Sequence, residues 1–339
     1  MKLISYIRHQ KEQAGLLIAD QVYPLSFPGW DDAGIMDDLL NNWESCRPEL
    51  EKKEAAILSG TPGNNNPVPV SAVQLIAPVP RPVSCRDGYA FRQHVATARR
   101  NRGVAMIPEF DQYPVFYFTN HRSIQGPGMV QCMPDHFEKL DFELEVAIVI
   151  CKKGRNIKAS EADAFIGGLM IMNDVSARTL QLEEMLLNLG PAKGKDFSTV
   201  IGPWLVTPDE LASYETDPKP GHTGKNWNLE MKCFVNETPV SRGNLGDMDW
   251  TFAELIERAS YGTDLYPGDV IGSGTVGTGC FLELNGTGKL QDPEYKAQWL
   301  QPGDRVRMEV EGLGILENTF ERDASGYSIL ALKKKQPGK

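Results

Sequence analysis

The sequence predicts an α+β fold, mostly β, in which a small β N-terminal domain at residues 1–70 precedes a larger domain at residues 71–335. Short runs of alternating or β-branched residues recur between glycine and proline turns, as strands do. Few stretches show the spacing of an amphipathic helix. A cluster of glycine, proline and asparagine at residues 60–69 separates the two parts, and 339 residues is a length at which one large or two modest domains are ordinary.

The first part of the chain contains strand-like and helix-like segments. Residues 3–7 and 15–25 are strand-like runs joined by a polar turn, which indicates a small β-module. Apolar residues with helical spacing follow, and we assign them to the core: Ile35, Met36, Leu39, Leu40, Trp43 and the run at 55–58.

The composition bears on partners and compartment. The formal net charge is −10 and the pI is near 5.1. A nucleic acid or an anionic membrane would select a basic surface, so we expect neither as a partner. The N-terminus has no signal pattern and no run of about 20 apolar residues spans a bilayer, so the expected location is cytoplasmic. Six cysteines without Cys-x-x-Cys spacing are expected to be reduced.

Residues 85–103 combine a histidine with several charged side chains. Asp87 is typical of a helix N-cap and Gly103 of a helix end, so we predict a helix between them. His94, taken alone, is more often a structural group than a base. Three arginines follow, for which a solvated face is the usual interpretation and anion binding the minority one: Arg99, Arg100 and Arg102.

Acidic residues recur on a strand that enters a core. Residues 113–120 are an aromatic-rich strand, and residues 140–150 form the next long one. Asp141, Glu143 and Glu145 share one face of the latter because side chains alternate along a strand. The continuous apolar run that follows indicates burial, and buried carboxylates in a row need a cation. With Asp87 and Asp174 also available, oxygen ligands suit Mg²⁺, with Ca²⁺ or Mn²⁺ as alternatives, better than Zn²⁺.

The stretch from residue 167 to residue 206 changes abruptly from apolar to polar. Residues 169–172 are predicted to be a buried strand, and Asp174 follows where the strand leaves the core. Ser176 suits the N-cap of the next helix. One face of that helix carries Arg178, Gln181 and Met185. A turn-rich loop then returns Lys195 toward Asp174.

The remaining sequence adds short strands and one amphipathic helix. Strands are predicted at residues 229–235 and 306–310, and the helix at residues 251–260. Glycines at residues 273–279 do not match a phosphate loop, because there is no lysine-serine pair and no following helix is expected. They are expected to let the backbone approach a ligand, with Thr275 and Glu283 beside it.

Together these motifs resemble one family, the fumarylacetoacetate hydrolases, over residues 85–285. The matching motifs occur in the family's order and consist of Asp87, Tyr89 and His94; Glu143 and Glu145; residues 173–178, Gln181 and Lys195; and Thr275 and Glu283. The resemblance implies a small β domain followed by a mixed β-roll catalytic domain of the fumarylacetoacetase C-terminal type. It also implies a homodimer.

The resemblance further implies a mechanism. A divalent ion, Mg²⁺ first, would chelate two oxygens of a diketo acid and stabilise the departing enolate, held by Asp87, Glu143, Glu145 and Asp174. His94, oriented by Glu283, would be the general base for water. Donors to the oxyanion would be Arg178, Gln181 and Lys195. Residues that bind the substrate would be Tyr89, Tyr117, Arg102 and Thr275.

Two positions depart from the family pattern. The family's arginine for the substrate carboxylate falls at Gly103, so Arg100 or Arg102 is expected to replace it, and the family's second pocket tyrosine is Met185. The expected reaction is hydrolysis of a carbon-carbon bond in a β-diketone acid, fumarylacetoacetate to fumarate and acetoacetate, as in tyrosine catabolism. The alternatives are an acylpyruvate hydrolase, an oxaloacetate-type decarboxylase or isomerase, and, in another class, a non-catalytic metal-binding scaffold.

Overall fold

The computed structural model describes residues 1–27, 35–60 and 66–334. Its strands in the first half of the chain are β1 Lys2–Arg8, β2 Lys11–Ile18, β3 Gln21–Pro24, β4 Val68–Pro69, β5 Gln74–Leu75, β6 Cys85–Gly88, β7 Phe116–Thr119, β8 Ile124–Gln125, β9 Gly128–Cys132, β10 Leu140–Asp141, β11 Leu144–Ile150 and β12 Gly154–Arg155. Those in the second half are β13 Ile166–Asp174, β14 Ser176–Ala177, β15 Thr199–Val206, β16 Glu215–Thr216, β17 Asn226–Trp227, β18 Glu230–Val235, β19 Thr238–Asn244, β20 Asp264–Leu265, β21 Val270–Gly272, β22 Arg305–Val310 and β23 Gly314–Arg322.

The helices are fewer than the strands. They are α1 Ile35–Asn41, α2 Trp43–Leu58, α3 Arg92–Asn101, α4 Ala159–Ala162, α5 Arg178–Leu186, α6 Phe252–Ser260 and α7 Phe281–Gln291. Helix α6 begins with a capping box, in which Thr251 and Glu254 bond to each other's backbone N–H groups. Within the described residues, none of the helices combines the length and the apolar character that crossing a membrane requires.

Most strands join one large mixed sheet. Its order in the described part of the chain is β4-β3-β2-β1-β15-β13-β11-β21-β6-β7, with β5 beside β1 and β8 beside β15. Neighbours are antiparallel except for β8 with β15 and β21 with β6. A second sheet has the order β19-β18-β22-β23-β9 and ends in a parallel pair. This strand-dominated architecture confirms the predicted α+β fold class.

The large sheet is covered on both faces. Side chains of β11 alternate between two cores, so Val146 and Ile148 join the cluster that contains Met308 of the second sheet. Val149 points the other way, into the cluster that contains Leu39 of α1. Burial on both sides explains why β11 and β13 are continuous apolar runs in the sequence.

The N-terminal strands continue the large sheet. Strand β1 pairs with β15 in the register Leu3 with Leu205. Leu3 and Leu205 also belong to the same core cluster. The domain boundary near residue 70 stays a prediction, and residues 61–65 of the predicted connector at 60–69 lie outside the described residues.

Helix α3 begins later than predicted. Asp87 is not its N-cap, because Asp87 lies within β6 and the helix starts at Arg92. The backbone N–H of Arg92 donates to the carboxylate of Asp249 at 2.8 Å. A cap supplied from so distant a segment leaves no local sequence signal. The predicted end is confirmed, since Gly103 follows the helix with φ +71°.

Two further helix starts differ from the sequence prediction. Ser176 does not cap α5: its hydroxyl donates to the carbonyl of Asp174 at 2.9 Å, and Ala177 is the residue that precedes the helix. The expectation that no helix follows the glycines at 273–279 was wrong, because α7 begins at Phe281. Glycines within α7 weaken the helical signal, which explains the omission.

Candidate active site

Three carboxylates lie on the same face of the large sheet, on three different strands. Each acid lies two residues from a buried apolar residue on its own strand, so alternation places it on that residue's face. The pairs are Asp87 with Cys85 on β6, Glu145 with Ala147 on β11, and Asp174 with Met172 on β13. The three carboxylates are therefore brought close together on that face.

Glu143 completes this acidic cluster, by which we mean Asp87, Glu143, Glu145 and Asp174. It lies between β10 and β11, where the predicted continuous strand is interrupted. Its backbone N–H donates to the Asn173 side chain at 3.0 Å. One oxygen of each carboxylate lies within 4.8 Å of those of the other three. The four predicted ligands are thus brought together.

Gly272 makes room for the cluster. It pairs with Ala147 on one side and with Asp87 on the other, in the middle of the sheet. A Cβ at this position would lie 2.5 Å from Oδ1 of Asp87 and 2.9 Å from the sulfur of Met172. Sequence reasoning overlooked Gly272, although a glycine at the end of an apolar strand is a signal of close approach.

Burial dominates the titration of the cluster. Burial and the charge of Asp174 raise the pKa of Asp87 to about 8. Burial and the charge of Asp87 raise the pKa of Glu145 well above its usual value. Burial also raises the pKa of Asp174, against the opposing charge of Lys195. Without a cation the cluster therefore retains protons, which a divalent ion would displace on binding.

The donors of the cluster fit a hard divalent cation. Oε2 of Glu145 and Oδ1 of Asp174 are buried and have no hydrogen-bond partner among the described residues. Leaving such atoms unsatisfied is costly, and a cation would satisfy them. All four ligand groups are carboxylates, a set that suits Mg²⁺, Ca²⁺ or Mn²⁺ better than Zn²⁺. The residues present therefore fit the predicted ion.

Lys195 lies against the cluster, as the spacing of its loop predicts. Its Nζ is 2.5 Å from Oε2 of Glu143 and 2.6 Å from Oδ2 of Asp174. Burial disfavours the charge of Lys195, but Asp174 and Glu143 outweigh burial and raise its pKa. Burial likewise opposes the charge of Glu143, yet Lys195 and Arg178 lower the pKa of Glu143. The pair is therefore an ammonium and a carboxylate.

Arg178, at the start of α5, forms a hydrogen bond within the protein through each of its three guanidinium nitrogens. Nε donates to Asp141 at 2.8 Å, Nη2 to Glu143 at 2.7 Å and Nη1 to Oε1 of Gln181 at 2.9 Å. Because Gln181 uses its oxygen in this contact, its amide N–H groups remain as donors. Asp141 does not join the cluster; it holds Arg178 and accepts the first N–H groups of α7 at 2.7 and 2.9 Å.

Two helices carry the second part of the site, which we call the dyad, His94 and Glu283. His94 lies on α3 and Glu283 in the first turn of α7, with Nδ1 2.6 Å from Oε2. Because a carboxylate accepts hydrogen bonds, Nδ1 carries the hydrogen and Nε2 is left as a base. The ring of Tyr89 packs edge-on against His94, with centroids 5.8 Å apart.

A close helix contact sets the position of the dyad. A Cβ on Gly286 of α7 would lie 2.4 Å from Nδ2 of Asn101 on α3. That amide donates to the carbonyl of Glu283 at 3.0 Å. Asn101 was not among the predicted site residues, and nothing in the local sequence distinguishes it from a surface asparagine.

A cavity of about 670 Å³ separates the cluster from the dyad. The predicted site residues on its wall are Asp87, Tyr89, His94, Arg102, Tyr117, Glu143, Arg178, Gln181, Lys195, Thr275 and Glu283. Glu145 and Asp174 lie behind this wall, within the cluster. Arg100 points elsewhere, since its Nη2 donates to Thr287 of α7 at 3.0 Å. Of the two arginines expected to replace the family residue, Arg102 is the one that borders the cavity.

Two of the hydroxyls predicted to bind substrate donate to the cluster. The Tyr117 hydroxyl donates to Asp174, and burial raises the pKa of Tyr117. The Thr275 hydroxyl is 3.2 Å from Oε1 of Glu145. Burial also raises the pKa of Tyr89, with Arg102 opposing. Tyr89 forms no side-chain hydrogen bond within the described part of the chain, so its hydroxyl is available to a bound molecule.

The fold and the site define a class of protein. A histidine with one nitrogen fixed by a carboxylate faces, across one cavity, four carboxylates arranged for a hard cation. The first group can move protons, and a cation at the second can stabilise a developing anion. Such an arrangement is typical of enzymes that combine acid–base chemistry with a divalent ion.

The chain belongs to the fumarylacetoacetate hydrolase family: residues 84–321 match the family model described as fumarylacetoacetate (FAA) hydrolase C-terminal. The human protein named oxaloacetate tautomerase FAHD2A, mitochondrial, is 34% identical over 259 residues, which is 74% of this chain and 70% of the relative. A fumarylacetoacetate hydrolase domain-containing protein 2 homolog from Dictyostelium discoideum is 27% identical over 327 residues, 95% of this chain and 97% of the relative. The resemblance seen in the sequence is confirmed.

Solved structures show the same fold. A fumarylacetoacetate hydrolase from Exiguobacterium antarcticum has a TM-score of 0.66 at 23% identity, covering 95% of this chain and 100% of its own. A 5-carboxymethyl-2-hydroxymuconate delta-isomerase from Mycobacterium smegmatis has a TM-score of 0.64 at 23% identity, covering 95% of this chain and 100% of its own. Both show that this chain shares their fold.

Membership of this family supports two general conclusions about the protein. The family consists of enzymes and is generally metal-dependent, in agreement with the acidic cluster. Hydrolysis of fumarylacetoacetate is not specifically supported by the relatives. Because the human relative is mitochondrial by name, the cytoplasmic location stays a prediction, as does the homodimer.

Proposed function

We propose that this protein catalyses the metal-dependent keto–enol tautomerisation of a small 2-oxo dicarboxylate, with oxaloacetate as the first candidate. The observation that carries the proposal is the engagement of Arg178 and Lys195 with carboxylates of the protein. Hydrolysis at a carbonyl passes through a tetrahedral oxyanion, which needs preorganised donors. Arg178 and Lys195 keep further N–H groups, but their positive charges are already paired with Asp141, Glu143 and Asp174, so less of that charge is available to an oxyanion. Tautomerisation passes through a planar enolate and needs no such site.

The relatives support the same choice. The rat oxaloacetate tautomerase Fahd2a, mitochondrial, is 33% identical over 300 residues, 84% of this chain and 83% of the relative. A fumarylacetoacetase from Oryza sativa is 34% identical, but over 197 residues, 50% of this chain and 46% of the relative. The likeness to the tautomerases therefore extends over more of both chains, and it favours the oxaloacetate-type isomerase over our first expectation.

The residues of the cavity can perform the proposed reaction. Asp87, Glu143, Glu145 and Asp174 would hold the divalent cation, which would supply positive charge to stabilise an enolate. Nε2 of His94 takes a proton from C3 of the keto acid, and Glu283 stabilises the imidazolium through Nδ1. The same nitrogen then gives that proton to the oxygen at C2, so that the enol is formed without a net change in the enzyme. Tyr89, protonated because burial raises its pKa, can donate a hydrogen bond to the substrate.

Steady-state assays with Mg²⁺ test the proposal by comparing oxaloacetate, acylpyruvates and fumarylacetoacetate. Loss of the enol absorbance of oxaloacetate reports tautomerisation, and loss of the diketone absorbance reports carbon-carbon hydrolysis. We expect kcat/KM to be highest for tautomerisation of oxaloacetate. Mg²⁺ without protein and the Glu143→Ala, Glu145→Ala double variant are the controls for metal-catalysed background. A higher kcat/KM for cleavage of either diketo acid would show that the protein is a hydrolase.

A further inference from the structure

We infer that Lys289, in the last turn of α7, joins Arg102 in binding the substrate carboxylate that lies away from the acidic cluster. The inference rests on the proposed function, because it requires a substrate with a second carboxylate. Lys289 is not part of any motif identified in the sequence. It provides a second positive charge beside Arg102 on the cavity wall.

The basic residues around the cavity fall into two groups. Arg178 and Lys195 are buried and neutralise the acidic cluster. Three others line the same cavity, are exposed, and form no ion pair within the described residues: Arg102, Lys139 and Lys289. In a chain with a net charge of −10, free cations around one opening are a local reversal of charge. Such a reversal attracts anions.

Helices α3 and α7 bring two of these cations together. The helices run side by side in the same direction, because His94 meets Glu283 near their starts and Asn101 meets Thr287 further along. The end of α3 therefore lies beside Thr287, two residues before Lys289. Lys289 lies in the last turn of α7, and Arg102 directly follows α3. Both residues line the cavity that contains the dyad.

Arg102 extends back toward the dyad. Its Nε donates to the carbonyl of Ala98 at 3.2 Å, so its side chain covers the preceding turn of α3. Ala98 lies one helical turn from His94, which is about 6 Å along the axis. Arg102, Tyr89 and His94 line the same cavity. The guanidinium is thus close enough for a short diacid to reach both it and the dyad.

An anion that binds beside these helix ends needs positively charged side chains to offset the partial negative charge of the helix C-termini. The C-terminus of a helix carries partial negative charge, which repels a carboxylate. The partial negative charge of a helix C-terminus by itself favours a basic residue near the end of either helix. It does not explain why the side chains of both Arg102 and Lys289 line the cavity. An arginine fork and a lysine ammonium can together hold one carboxylate, the first by paired hydrogen bonds and the second as a point charge.

Calorimetric titration of the Mg²⁺-loaded full chain tests the inference without turnover. The probes are 2-oxoglutarate and 2-oxopentanoate, which have the same carbon chain and differ in the terminal carboxylate. We expect the wild type to bind the diacid on the order of tenfold more tightly, as one charge-assisted contact allows. Lys289→Met and Arg102→Met should each remove most of that preference and leave the affinity for the monoacid nearly unchanged.

Lys296→Met is the matched control, because Lys296 is an exposed lysine near α7 that does not line the cavity. It should keep the wild-type preference, and Lys289→Arg should restore part of it. Equal loss of affinity for both acids in Lys289→Met would indicate a structural role and overturn the inference. An unchanged preference in the Arg102→Met, Lys289→Met double variant, or no preference in the wild type, would overturn it as well.

The same variants separate this inference from the proposed function. If the calorimetric preference behaves as expected while oxaloacetate is not tautomerised, the carboxylate site stands and the proposed reaction falls. If tautomerisation is observed and KM for oxaloacetate is unaffected in Lys289→Met, the reaction stands and the carboxylate site falls. In the variants we expect KM to rise on the order of tenfold and kcat to change much less.

Discussion

The acidic cluster and the dyad face each other across one cavity, but the protein holds them in different ways. The cluster is fixed by the register of adjacent strands, with Glu145 and Asp174 fully buried. The dyad depends on two helices that touch at Gly286. Sheet register is shared among many hydrogen bonds, whereas a helix crossing rests on a few side chains. The comparison suggests that cation binding and proton transfer can be lost separately.

Loss of the cation should have the largest effect. The Glu143→Ala, Glu145→Ala double variant should lose tight binding of Mg²⁺ or Mn²⁺ and at least about a thousandfold in kcat/KM, since a cation supplies several kcal/mol of charge stabilisation. Calorimetry with Mn²⁺ and steady-state kinetics measure the two losses. Chelation of the wild type should reproduce the kinetic defect, and Mg²⁺ should reverse it. Full activity of the chelated protein would contradict a catalytic role for the cluster.

Removal of the base should come second and leave the cluster intact. His94→Ala should reduce kcat by about 10²–10⁴-fold, the usual contribution of a general base. Its Mn²⁺ affinity should stay within about twofold of wild type, because separate sites act nearly additively. Parallel binding and kinetic measurements on one preparation provide the check. If Mn²⁺ affinity falls together with kcat, the two parts of the site are not independent.

Two glycine substitutions should affect proton transfer at the dyad and cation binding at the acidic cluster separately. Gly286→Ala pushes α7 against Asn101 and should cost about 10- to 100-fold in kcat, since small displacements of reacting groups cost this much. Gly272→Ala pushes against Asp87 and should weaken Mn²⁺ binding. Each variant is the control for the other in calorimetry and kinetics. The same defect in both would argue against separate support.

The smallest effect should be a pH dependence of stability in the metal-free protein. Burial raises the pKa of Asp87 from 3.8 to about 8, so between these values the folded state binds a proton that the unfolded state has released. The contribution of Asp87 to folding stability therefore falls as pH rises from about 4 to about 8. The raised pKa values of Glu145 and Asp174 act in the same direction.

Thermal unfolding in a chelating buffer measures this dependence. We expect the melting temperature to fall by a few degrees between pH 6 and pH 8, the shift that about 2 kcal/mol produces in a chain of this size. Saturating Mg²⁺ should abolish the fall, because the bound carboxylates are then ionised throughout. Asp87→Asn should reduce it. A melting temperature that rises with pH in the metal-free protein would contradict the burial effect.

The sequence was most informative where local pattern and chemistry coincide. The apolar run at residues 169–172 identified β13, and three-to-four-residue spacing placed Arg178 and Gln181 on one face of α5. The turn-rich loop correctly indicated that Lys195 returns to Asp174. In each case neighbours in the chain determine the outcome.

Long-range contacts account for what the sequence did not show. The start of α7 is capped by Asp141, whose carboxylate accepts the N–H of Phe281 from 140 residues away. Asp141 is outside the acidic cluster because its carboxylate is occupied by this contact and by Arg178. Room for the cluster at Gly272 depends on the register of strands from distant segments. Such requirements appear only after the strands have been paired.

The parallel pairing of β6 with β21 has a consequence for how the chain acquires its active site. These strands lie far apart in the sequence, and the contact beside them between Ser84 and Asp269 joins residues separated by 185 positions. Pairing over such a distance requires closure of a very long loop, which slows folding. Strand β6, which carries Asp87, joins the large sheet through β21. Asp87 therefore cannot join the other three carboxylates until β21 has been synthesised and has left the ribosome. We therefore expect tight uptake of the divalent ion to be among the last events of folding, and to report that the fold is complete.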